Sequence, residues 1–207
     1  MHRIILTDIK PPIYHELMRV HGRKLNAWIY SQLERRVPEL DEVFFDKLKR
    51  WFDYPEENRL EKKLLRAAHY LATQWEFGII YHFNQAIYGI DATKAAIESN
   101  IEDHYDLAGV QKISLKGKTS KFIDLVGQLR FQKRWAQSPR VPETSVMGHV
   151  LIVAILGYFC AAELGACDER IVNDFLCGLF HDLPEVLTRD IISPVKTSVE
   201  GLDDLIK

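Results

Sequence analysis

The chain has 207 residues, 47% of them apolar, 27% charged and 11% aromatic, and a formal net charge of -2. That length supplies enough material for one large core or two small ones, and the near-neutral charge argues against a nucleic-acid partner held by bulk positive charge. The opening MHRIILTDIKPP lacks the charged-then-apolar order of a signal peptide, and the uncharged apolar run 150–162 is shorter than the roughly 20 residues that span a bilayer.

Helical periodicity dominates from the start. Residues 15–36 place Leu17, Val20, Leu25, Trp28, Ile29 and Leu33 on one stripe with charges between, which predicts an amphipathic helix. Residues 41–54 and 60–88 repeat the pattern. The later half of 60–88 is apolar enough to require covering and is compatible with a helix-mediated homodimer. Asp91 is placed to cap a helix running to about Leu107. The polar, aperiodic stretch 108–118 reads as a linker between a helical region, 1–118, and a second domain, 119–207.

In that second domain the pattern predicts helices over 119–135, 145–164 and 168–187. A loop with Pro139 and Pro142 falls between the first two. The run 150–162 reads as a buried helix rather than a membrane anchor. A loop with Pro194 and a short helix near Leu202 follow. Period-two alternation is rare and Gly and Pro are sparse, so the fold class is all-α. Cys160, Cys167 and Cys177 lie in or beside apolar runs with no CxxC spacing; they read as reduced core residues of a cytoplasmic protein.

The densest chemistry lies in His181–Asp190, HDLPEVLTRD, where charged groups stand among apolar neighbours. Burying such groups is costly unless they are paired or bound to a metal. His149 opens one apolar helix and His181-Asp182 closes another, with Gly178 one turn earlier to allow close approach. Two packed helices could therefore aim His149, His181 and Asp182 at one point, and Glu185 shares a face with Asp182 at i,i+3. A mixed N/O donor set suits one divalent transition metal among Mn, Fe, Co, Ni and Zn. Three protein ligands with open positions are characteristic of catalytic sites. Taken alone, His149 would read as an ordinary core histidine, and the other histidines share no ligand spacing.

Arg134-Trp135, His149 fourteen residues on, the HD-xx-E-VLT-x-D string and a following Pro194-Val195-Lys196 together resemble the HD superfamily of metal-dependent phosphohydrolases, in particular its bacterial 5′-deoxynucleotidase branch. The likeness covers about 119–196. It implies an all-α HD-domain bundle preceded by a helical N-terminal region, and an enzyme acting on a small phosphorylated substrate, a nucleotide above all. It assigns His149, His181 and Asp182 to the metal, Arg134 to phosphate, Glu185 to the proton or the water, and Asp190 to the substrate. Trp135 could present a face to a base, although packing is its plainer role. The ion would lower the pKa of a bound water from about 15.7 towards 7.

In one respect the chain departs from that family, whose members add a metal-binding Asp on a later helix. Asp203 and Asp204 come too soon to match it. Either the natural chain continues past Lys207, or the first half supplies the missing wall; in 61–77, His69 stands where that Asp would be. The gap keeps a rival reading open: a catalytically incomplete HD-like module that binds or senses a nucleotide. A purely structural helical assembly is the third reading.

Overall fold

A computed structural model describes residues 5–6, 9, 11–38, 42–54, 56–136, 138, 141–189 and 201. Among the described residues the regular structure is all helical. The elements are α1 (Pro11–Arg36), α2 (Glu42–Asp53), α3 (Arg59–Phe83), α4 (Ile90–Glu102), α5 (Ala108–Ser114), α6 (Lys118–Gln128), α7 (Val146–Glu163), α8 (Asp168–Phe180) and α9 (Glu185–Thr188). The chain divides into two compact units, Met1–His69 and Tyr70–Lys207.

In the first unit α1 packs on α2. Ile29, Tyr30 and Phe45 are buried, while Val20 and Trp28, expected on the same stripe, are exposed. The polar link between the helices gathers on one carboxylate. Asn26 Nδ2 donates to Asp53 Oδ1 at 2.9 Å, and the Tyr30 hydroxyl donates to the same oxygen at 3.1 Å.

In the second unit several boundaries differ from the periodicity, each for a local reason. The helix expected to reach residue 88 ends at Phe83, and Gly89, at φ 76°, is the N-cap of α4. Asp91 accepts from the Tyr81 hydroxyl instead of capping. The expected 91–107 helix stops at Glu102, where His104, Tyr105 and Leu107 turn to i−3 carbonyls. The stretch 108–118 contains a helix, α5, where a linker was expected.

The 119–135 helix ends at Gln128, because the chain beyond finds partners across a loop. Arg134 N donates to Thr144 O and Val146 N to Gln132 O, around an isolated antiparallel bridge between Lys133 and Ser145. The 168–187 helix breaks after Phe180. Pro184 lacks an N–H and would clash with the carbonyl four residues back, so a turn carries the chain to α9.

The antiparallel pair α7 and α8 dominates this unit. Between them Gly165 takes φ 64°, its N–H donates to Ala162 O, and Ala166 N donates to Ala161 O; this is the Schellman closure of a helix end. Val146, Val150, Ala154 and Ala161 form the buried face of α7, spaced at four, four and seven. At Gly178 a Cβ would lie 2.8 Å from Ala154 Cα and 2.9 Å from its nitrogen, so α8 approaches backbone to backbone there.

That close contact uses small side chains and leaves the large ones outside. Leu151, Ile152, Ile155, Leu156, Tyr158 and Phe159 are exposed, so the helix expected to be buried is covered on one face only. By length and composition alone, α7 is also long and apolar enough to cross a membrane. Cys160, Cys167 and Cys177 are exposed free thiols rather than core residues, since they lie outside the α7–α8 seam. Ile79, Ile80 and Phe83, in the later half of the 60–88 stretch, are likewise exposed where covering was expected. The Pro139 and Pro194 loop positions, Asp203, Asp204 and the short helix near Leu202 lie outside the described residues.

Candidate metal centre

Residues Leu129, Val146, Val150 and Val186, with Leu125, Met147 and Leu183 against them, form a small core where α6, α7 and α9 converge. The polar residues of interest are carried by the same segments. Ser145 caps α7, its Oγ accepting from Gly148 N at 3.1 Å, and His149 follows one turn later beside buried Val150. His181 is the C-cap of α8, and Asp182 lies in the turn ahead of Pro184. The missing Cβ of Gly178 lets the two helix ends meet.

The result is a convergence on one oxygen. His181 Nε2 lies 3.2 Å from Asp182 Oδ2, His149 Nε2 lies 3.5 Å from it, and Arg134 Nη1 donates to it at 3.1 Å. The two imidazoles meet edge to face, with ring centroids 5.3 Å apart. One ligand atom from each of His149, His181 and Asp182 lies within 4.8 Å of the others, a spacing that could hold a metal ion. The group is partly open, with the Asp182 side chain 16% exposed and that of His181 33%.

The donor set fits a divalent ion. His181 Nδ1 sits 2.8 Å from Gly178 O, and a carbonyl only accepts, so this nitrogen carries the proton. In the neutral ring, Nε2 then presents a lone pair towards Asp182. Fixing a ligand histidine through its second nitrogen is the usual way proteins set its tautomer and orientation. Two ring nitrogens and a carboxylate suit the borderline divalent metals.

Glu185 begins α9 and is 7% exposed; its N–H donates to Asp182 O at 3.0 Å, so the two residues share one turn. Asp190 lies outside the described residues. Trp135, whose plainer role was packing, stands at φ 56° and is 43% exposed. It lines a cleft of about 230 Å³ with Lys133, Arg134, Ser138, Glu143 and Thr144.

Sequence reasoning missed Gln132, whose Nε2 donates to Val186 O at 3.3 Å and so links the Arg134 segment to α9. It also missed the Thr144 carbonyl that fixes the Arg134 backbone. Neither contact has a local signature, because each joins residues brought together only by the fold.

Residues 126–205 match the HD domain family, a span that includes Arg134, His149, His181, Asp182, Glu185 and Asp190. The C-terminal part of the chain is therefore an HD domain, a type that binds divalent metal and is typically a phosphohydrolase. No curated protein and no solved structure matches the chain.

Proposed function

We propose that this HD-domain enzyme releases phosphate from a small nucleotide, acting as a 5′-deoxynucleotidase-like phosphomonoesterase in the cytoplasm. The observation that carries the reading is the approach of two imidazole nitrogens and a guanidinium to the single oxygen Asp182 Oδ2. His149, His181 and Asp182 would hold the divalent ion. When bound, the ion supplies the Lewis acidity that makes water a nucleophile near neutral pH.

The chain's own groups do the rest. Arg134 offers a planar fork matched to two phosphate oxygens and stabilises negative charge on the phosphoryl group. Its backbone is held by Thr144 O at 2.8 Å and its guanidinium by Asp182 Oδ2 at 3.1 Å, so the cation is positioned rather than free to sweep. Glu185, in the same turn as Asp182, is the group for accepting or relaying a proton, given hydrogen-bond reach to the attacking water. The cleft lined by Trp135, Ser138 and Thr144 adjoins Arg134 and offers room and polar groups for the remainder of the substrate. Asp190 is proposed to hold a sugar hydroxyl on the strength of the motif alone.

Phosphate release from deoxynucleoside monophosphates, with manganese or cobalt added, tests the reading. Turnover by the wild type and its abolition in Asp182→Ala are expected. Absence of turnover together with a nucleotide-dependent rise in melting temperature would instead select the non-catalytic binding module, since a ligand of the folded state raises apparent stability.

A further inference from the structure

The same carboxylate oxygen that the metal would need is already hydrogen-bonded by a cation. Arg134 Nη1 is 3.1 Å from Asp182 Oδ2, closer than either histidine nitrogen. We propose that Arg134 couples metal binding to phosphate binding: it holds Asp182 when the anion is absent, weakening metal affinity, and is drawn from it by an arriving phosphate. The inference rests on the metal-site reading above and adds an order of events to it.

The coupling is electrostatic. A divalent ion bonded to Oδ2 at roughly 2 Å would stand within about 5 Å of the guanidinium nitrogen. Two cations at that separation repel each other strongly in a partly desolvated site. The Asp182 side chain is 16% exposed and that of Arg134 27%, so water screens the pair only in part. A phosphate dianion changes the balance in two ways. It gives the guanidinium a bidentate partner better matched to its fork, and it places negative charge between the two cations. Removing the guanidinium without supplying an anion should do half of this work, because it leaves a half-buried carboxylate flanked by ring nitrogens with only a metal to satisfy it.

Manganese(II) affinity of the full chain, measured by calorimetry with and without inorganic phosphate, tests the coupling. In the wild type, phosphate should tighten manganese binding about tenfold or more, within the roughly 5–150-fold range of known site-to-site couplings. Arg134→Gln should bind manganese about tenfold more tightly than wild type without phosphate, and should gain correspondingly less when phosphate is added. Arg134→Met, which keeps length and drops the charge, repeats the measurement should the amide variant fold poorly. Arg134→Lys, which keeps the charge, should return affinity towards the wild-type value. If the neutral variants bind manganese no more tightly than wild type, the coupling is overturned while the metal site stands. If no variant and no wild-type sample binds manganese, the metal-site reading itself falls, and this inference with it.

Discussion

Asp53 in the first unit and Asp182 in the second both lie at the C-terminal end of a helix, where the backbone dipole disfavours negative charge. Each is stabilised by groups from elsewhere in its own unit, but the groups differ in kind. Asp53 Oδ1 receives two neutral donors, the buried Asn26 amide and the Tyr30 hydroxyl. Asp182 Oδ2 receives one cation and faces two imidazole Nε2 atoms, of which that of His181 is the unprotonated one in the neutral ring. A lone pair facing a carboxylate is repulsive unless a cation joins them. The first cluster ties two helices together, and the second presents the donor set that the proposed metal would need. The lesson is that donor type, not the presence of a buried carboxylate, separates a tie from a site.

Substitutions at the two carboxylates should therefore have opposite consequences. Asp182→Ala should abolish metal binding and turnover. Asp53→Ala should leave manganese affinity unchanged and cost about 2 kcal/mol of stability, because it removes the acceptor of two buried donors. Denaturant unfolding alongside metal titration checks both, and loss of manganese affinity in Asp53→Ala would break the comparison.

A partial loss of both properties is expected from Gly178→Ala. The added Cβ meets the backbone of Ala154, which cannot move aside as a flexible side chain would. Overpacking of this kind costs about 1–3 kcal/mol, and it acts on the seam that brings His149 and His181 together. Stability and manganese affinity should fall together in this variant. A stable protein with wild-type metal affinity would show that the seam does not position the ligands.

Tyr30→Phe should have the smallest effect, about 1 kcal/mol, with no change in metal binding. Burial, then the charge of Asp53, then the hydrogen bond to it raise the Tyr30 hydroxyl pKa well above its usual value. The sign follows from linkage: a pKa raised in the folded state gives stability that is fully present below the unfolded value of about 10 and lost as pH rises above it. Unfolding measured from pH 8 to 11 should show a steeper alkaline loss in wild type than in Tyr30→Phe. Parallel curves would remove Tyr30 from the account.

Much of this arrangement was legible in the sequence, and the parts that were not have separable physical causes. The helical class, the Ser145 start of α7 and the role of Gly178 follow from periodicity, capping chemistry and the absence of a side chain. The approach of His149 to His181-Asp182 followed from placing them at adjoining ends of two packed helices. Helix ends were less legible. The helix ending at Gln128 gives way to a chain that pairs across a loop, and the one ending at Glu102 gives way to local i−3 turn bonds; periodicity carries no record of either. Pro184 is a visible breaker inside the expected 168–187 helix, and the chain leaves the helix ahead of it. The exposed large residues of α7 were misjudged for a different reason: apolar content says a surface wants covering but does not say by what.

The proposed chemistry requires that one divalent cation be held jointly by His149, His181 and Asp182. Anomalous diffraction from crystals of the full chain grown with manganese(II) tests it most directly. A peak bonded to His149 Nε2, His181 Nε2 and an Asp182 carboxylate oxygen is the expected result. Manganese held by other residues, or none at this group under saturating metal, would contradict it.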